Sequence, residues 1–144
     1  MASFIYTAFI KKTLDGTNID FTSNTIKVAL TTSSYTPNQA THDFFDDITN
    51  EVSGTGYTAG GATLGSKTVT LDTTNKWVVF DAADTSWTTS TITNARYAVI
   101  YKSTGTASTS PLVALIDLGS NQSTSASTFA ITWSSDGIFK LTIV

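Results

Sequence analysis

The chain has one histidine, His42, and it stands in the run HDFFDD with Asp43, Asp46 and Asp47. On a helical turn His42 and Asp46 would share a face at i and i+4, a spacing that suits two metal ligands. With no second histidine and no cysteine, a typical zinc set cannot be completed, and any Ser/His/Asp mechanism would hang on this single imidazole. The run therefore reads as a solvated acidic loop. Asp81 and Asp84, in FDAADTSW, are the residue types of a carboxylate pair for acid–base chemistry. Their DxxD spacing departs from a calcium loop, and after a strand they read as turn formers. GTGYTAGG, residues 54–61, formally contains G-x-G-x-x-A, but Gly60-Gly61 oppose the helix that a dinucleotide fingerprint must open. It reads as a flexible or bulged loop anchored by Tyr57. The aromatic residues Trp77, Trp87, Trp133, Tyr97 and Tyr101 fall mostly in strand patterns and read as core or interface. Tyr35, Tyr57 and Trp87 are expected as exposed loop contacts, with Tyr35 and Trp87 keeping a sugar-stacking alternative open. Asn121-Gln122-Ser123 matches a glycosylation sequon by pattern alone. No catalytic residue, cofactor or metal ligand is expected.

The composition fits that reading. At 144 residues the chain is the size of one domain, here 1–144, able to bury roughly 70% of the surface of its unfolded form. Charged residues make up 13%, about half the roughly 25% usual in soluble domains, so Thr, Ser and Asn carry the surface polarity. A net charge of -3, with eight basic residues scattered from Lys11 to Lys140, offers no stripe to neutralise phosphates, and nucleic acid is not an expected partner. The absence of cysteine excludes a disulfide framework. MASFIYTAFIKKTLDG has its lysines after its apolar residues and does not read as a signal peptide. No run of 18 apolar residues occurs, so no membrane partner is expected either. The chain is expected as a soluble product that stays in the producing cell until release.

Helical spacing pairs Ile5 with Phe9, Tyr6 with Ile10 and Ile10 with Leu14, which predicts one amphipathic helix over Ser3 to Leu14. Ser3 would cap it, Lys11 and Lys12 would suit its last turn, and Asp15-Gly16 would end it. Beyond Thr25 the period changes to two. Strands are predicted over 26–31, 51–53, 67–71, 76–81, 96–102, 112–118, 128–133 and 138–144. Asp136-Gly137 reads as the turn of a hairpin between the last two. Tyr35 to Asp47 reads as a loop with two anchors. The fold class is mainly β, an antiparallel β-sandwich, Greek-key or jelly-roll-like, with one N-terminal α-helix.

The segment ARYAVIYKSTGTASTSPLVALIDLGSN, residues 95–121, raises a question of covering. It reads as two strands around a hydroxyl-rich loop, yet both strands are apolar on both faces, where a sheet with one wet face should alternate. The face holding Ile100 is assigned to the core. The face holding Tyr97, Val99 and Tyr101 is expected to lie against the helix or a neighbouring subunit.

Four segments, FIKKTLDGTNIDFTSNTIKVALTTSSYTP, GTGYTAGGATL, WTTSTITNARYAVIYKSTGTASTSPLVALIDLG and DGIFKLTIV, together resemble a family of small virion proteins of tailed bacteriophages, in matching order over nearly the whole chain. The resemblance implies a non-enzymatic structural role and carries over no catalytic or metal-binding residue. The expected function is a capsid decoration or cement subunit, with a tail or tail-fibre component as the alternative and a virion-associated glycan hydrolase using Asp81 and Asp84 as a third reading. The expected partners are the major capsid protein or other virion subunits and further copies of the chain. The expected location is the virion, and the host cytoplasm during assembly.

Overall fold

The computed structural model describes residues 1–16 and 19–143. Within them the chain is mainly β, with antiparallel strand pairing and one α-helix near the N-terminus. In chain order the elements are β1 (Phe4–Ile5), α1 (Thr7–Leu14), β2 (Ile26–Thr32), β3 (Ala62–Thr63), β4 (Thr68–Asp72), β5 (Trp77–Asp81), β6 (Thr85–Ser90), β7 (Ala95–Lys102), β8 (Leu112–Gln122), β9 (Ser127–Ile131) and β10 (Phe139–Thr142). A five-stranded sheet has the order β1-β8-β7-β2-β3, and two smaller sheets have the orders β10-β5-β4 and β6-β9.

The central sheet is built on the segment that raised the covering question. β7 and β8 form the expected hairpin, with Val99 opposite Leu115 and Ile100 opposite Ala114, and β2 flanks β7 with Val28 opposite Ile100. The loop between β7 and β8 satisfies itself with hydroxyls: Ser110 Oγ donates to the Thr106 carbonyl at 2.8 Å and accepts from the Thr104 amide at 3.0 Å. Because side chains alternate along a strand, Val28, Leu30, Ala98 and Ile100 share one face. They join Phe80 of β5, Trp87 of β6 and Phe129 and Ile131 of β9 in one buried cluster. The two small sheets thus pack on one side of the central sheet in a sandwich-like arrangement. Full burial of each such side chain contributes about 1.5–3 kcal/mol, which makes this layer the main source of stability.

The strand expected over 51–53 is reduced to a bridge between Glu51 and Thr31 beside β2, and three further local expectations are corrected. The helix begins at Thr7, not Ser3, because Phe4 and Ile5 extend the central sheet as β1 opposite Leu115 and Ala114 of β8. Ser3, expected as the helix cap, instead accepts the Asp117 amide at 2.9 Å. The first helical amide, of Thr7, is met by tertiary structure, donating to the Gln39 carbonyl at 3.1 Å. The second correction concerns Asp136-Gly137: β9 pairs with β6 and β10 with β5, so this turn carries the chain between two sheets and closes no hairpin. Glycine is required there, since at φ +93° an added Cβ would lie 2.5 Å from Val79 Cγ1. The third is β6, TSWTTS, a strand where the sequence pattern predicts none. Its inward positions are Thr85, Trp87 and Ser90, mostly polar, and its ladder with β9 is irregular between Trp87 and Ser90. Val144, assigned to the last strand, lies outside the described residues.

Candidate interaction surface

The second face of the central sheet is covered from within the chain. Ala29, Tyr97, Val99, Tyr101, Leu112 and Leu115 form a buried cluster with Tyr6 and Tyr35, against which Phe4, Phe45 and Ile48 pack. The cover is the loop through HDFFDD together with Tyr6 at the start of the helix. Tyr97, Val99 and Tyr101 are all buried, so of the two covers expected for this face, the helix or a neighbouring subunit, the cover is intramolecular and includes Tyr6 at the start of α1, and their expected role as a subunit or shell contact is corrected. Tyr35 and Trp87, expected as exposed contacts, are buried as well, and Tyr57 is half-buried.

Specific polar bonds hold that loop down. Lys12, on the inner side of α1, donates to Asp43 Oδ2 at 2.6 Å and to the Asp43 carbonyl at 3.1 Å, with its ammonium 3.6 Å from the centre of the Phe44 ring. Asp47 Oδ2 accepts the Asp43 amide at 2.8 Å. The Phe45 ring stacks on Tyr101 with centroids 4.1 Å apart. Strand-like bonds from the Leu112 amide to the Asp43 carbonyl and from the Phe45 amide to the Ser110 carbonyl, 3.0 and 2.9 Å, attach the loop to the start of β8. Asp43 and Asp47 therefore serve as fasteners, and Asp46 points to solvent.

His42 ends a relay of three side chains. Its Nδ1 lies 2.8 Å from Tyr35 Oη, which lies 3.1 Å from Tyr6 Oη. The Asn38 amide also points at Nδ1, at 3.4 Å, which makes this nitrogen the acceptor. Tyr35 then donates to His42 and accepts from Tyr6. In a Ser/His/Asp triad Nδ1 carries the proton that a carboxylate holds, and here that position is taken by a phenol. Burial, reinforced by the bond to Tyr35, pushes the Tyr6 phenol far above its usual range, so it stays a donor. No group of three or more His, Cys, Asp or Glu side chains placed to hold a metal occurs among the described residues.

The other candidate residues also make structural bonds. Asp84 Oδ1 accepts the Trp133 amide at 2.9 Å, while Trp133 Nε1 donates to the Ala83 carbonyl at 3.1 Å, tying the turn between β5 and β6 to the end of β9. Asp81 Oδ1 accepts the amide of its own neighbour Ala82 at 2.9 Å. In the 54–61 loop, Tyr57 Oη donates to Glu51 Oε1 at 2.6 Å and accepts the Leu30 amide at 2.9 Å. Gly61 lies so close to β2 that an added Cβ would sit 1.9 Å from the Val28 carbonyl oxygen, the reason for a glycine here without any phosphate. A cleft of about 300 Å³ beside this loop is lined by Lys27, Phe45, Glu51, Gly60 and Tyr101. The Tyr101 phenol is pushed up to about 12 by burial and by the Glu51 charge.

What remains open is the sheet β10-β5-β4. Residues directly opposite share a face, so Val69, Leu71, Val78, Phe80, Phe139 and Leu141 lie together. One end of this face is buried: Phe80 and Phe139 pack on Phe21, and Phe139 also meets Phe9 of α1. The β4 side of the face and its Leu71 end are not, with Val69, opposite Phe80, 46% exposed, and Leu71 67% and Ile143 66% exposed. On the opposite face Lys140 stands 3.7 Å over the Trp77 ring, beside a cleft of about 330 Å³ lined by Thr70, Asp72 and Asp136. Sequence patterning found these strands but not their exposure, because alternating Val69 and Leu71 look the same whether or not another layer covers them.

Comparison with family models, with curated proteins and with solved structures returns no match.

Proposed function

We propose that the chain is a non-enzymatic structural subunit of a tailed-bacteriophage particle, a decoration or cement protein that binds the assembled head and braces it by added contact area. The observation that carries this reading is the open apolar end of the β10-β5-β4 sheet, on a chain whose charged fraction is only 13%. Depletion of charge is what the buried centres of interfaces show. Patches of this kind on a symmetric lattice are covered by neighbouring subunits. The involvement of His42, Asp43, Asp47 and Asp84 in bonds that fasten the fold supports a scaffold over a catalyst. The resemblance in sequence points the same way.

The test is a reconstruction of particles from producing cells, combined with readdition of the purified protein to particles that lack it. On the order of hundreds of copies on the head supports the decoration reading. A few to tens at the tail replaces it with the tail component, and no particle-bound protein sinks both.

A further inference from the structure

We infer that the outer edge of β4 is a self-pairing edge, through which two copies of this chain join their three-stranded sheets into one antiparallel six-stranded sheet. This deepens the subunit reading by naming the surface and the partner, and rests on that reading only for its place in a particle.

Strand β4 ends the order β10-β5-β4, so one side of its backbone faces no strand among the described residues, and Thr68, Val69, Thr70 and Leu71 are all exposed. Proteins ordinarily blunt such edges with lysine, proline, a bulge or very short length. TVTLD has none of these: it is regular in register with β5 over all five residues and rich in β-branched side chains. The nearest lysine, Lys67, is turned away and donates to the Asn24 carbonyl. The opposite edge of the same sheet, β10, does carry a lysine, Lys140. Protection is therefore missing from one edge only.

The occupant that fits is a second β4. An antiparallel pair about a two-fold axis through Thr70 sets Val69 against Leu71 of the other copy, and Thr68 against Asp72. The first pair joins the two open apolar ends into one band. The second places a hydroxyl beside a carboxylate, and no like charges meet. Five residues of strand reach about 17 Å, which buries well under the roughly 800 Å² per partner of a standard interface. A weak dimer follows, with Kd on the order of 100 µM, to be strengthened where a lattice holds copies close.

Sedimentation equilibrium of the wild type is expected to show this monomer–dimer equilibrium. Leu71→Lys is expected to abolish it without unfolding, since that side chain is already 67% exposed. Val69→Lys and Leu71→Asp are each expected to lose self-association, and their mixture to regain a heterodimer through the opposed Lys and Asp. The chain has no cysteine, so Thr70→Cys gives an unambiguous crosslink. Opposed Cα atoms at about 4.5–5.5 Å suit a disulfide, and oxidation is expected at least about tenfold faster than for Thr128→Cys on β9. A wild type that stays monomeric at about 1 mM, association unchanged by Leu71→Lys, or Thr70→Cys crosslinking no faster than the control would each overturn the inference. Incorporation of the same variants into particles reads the subunit proposal separately, so the two can fail one at a time.

Discussion

The sharpest test of the loop cover is Tyr35→Phe. The substitution keeps the ring, its edge-on packing with Tyr97 and its place in the cluster, and removes one oxygen. That oxygen makes two hydrogen bonds, donating to His42 Nδ1 and accepting from Tyr6. Each contributes about 1 kcal/mol net. Tyr6 is fully buried, so its hydroxyl is left without its acceptor, a further cost of about 1–3 kcal/mol. The expected loss is about 3–5 kcal/mol, which near this chain length lowers Tm by about 10–15 °C. Tyr6→Phe should cost only about 1 kcal/mol, because Tyr35 keeps its acceptor on His42. The double variant loses both bonds but strands no donor, so it should cost about 2 kcal/mol, clearly less than the two single losses together. Urea unfolding with unchanged m-values is the assay. Additive costs, or a Tyr35→Phe protein within about 0.5 kcal/mol of wild type, would refute the relay and the direction assigned to it.

Other expectations follow from the same packing. Ile100→Asp and Tyr101→Asp lie on opposite faces of β7, yet both should prevent folding, since each face is buried within the chain and an unpaired carboxylate is costly there; circular dichroism of the two proteins checks this. Gly61→Ala should cost about 3 kcal/mol or more in urea unfolding, because φ is +75° and the Val28 carbonyl occupies the space a Cβ needs. Arg96→Gln tests a pH effect. Burial opposes the charged form of Asp117, but the Arg96 guanidinium and the Gly119 amide outweigh it and hold the carboxyl below its usual range. A depressed folded value means stability that is full above the ordinary carboxylate pKa and is lost as pH falls through the folded one. Wild type should therefore exceed Arg96→Gln at neutral pH, with the gap closing below about pH 4 in unfolding measured across pH 2–7.

The strands β2, β7 and β8 were legible because dense β-branched and apolar runs leave little else for those residues to do; the bounds of β2 and β7 lie within one residue of those expected, while β8 runs four residues further, through the polar stretch to Gln122. The N-terminal segment was ambiguous for a physical reason. Phe4 and Ile5 fit a helix by spacing, and only the free edge of β8, which local patterning cannot reveal, draws them into the sheet. β6 was hidden because its partner strand supplies much of the apolar surface and threonine and serine fill its inward positions. Of the polar candidates, the residue types were visible but not their partners: Lys12 with Asp43 and His42 with Tyr35 are bonds between segments about 31 and 7 positions apart that no periodicity connects. The aromatic density of the loop, Tyr35, Phe44 and Phe45 beside Ile48, was the available signal that it would bury something.

That outcome moves the argument for assembly to another part of the molecule. A sheet apolar on both faces called for a cover by the helix or by a neighbour, and an aromatic-rich loop within the chain supplies it, together with Tyr6, with Lys12 and Asp47 securing the loop. The small sheet has no such cover among the described residues: Val69 and Leu71 stay exposed, and α1 reaches the sheet at Phe139 through Phe9. A monomer gains nothing from leaving those side chains in water beside an unprotected strand edge, because each exposed leucine forgoes about 1.5–3 kcal/mol of burial and the edge invites uncontrolled pairing. A chain that spends its life among ordered copies does gain, since the same strip becomes buried area once the neighbour is in place. The edge of β4, and no longer the face of Tyr97 to Tyr101, is therefore where substitution should separate folding from assembly.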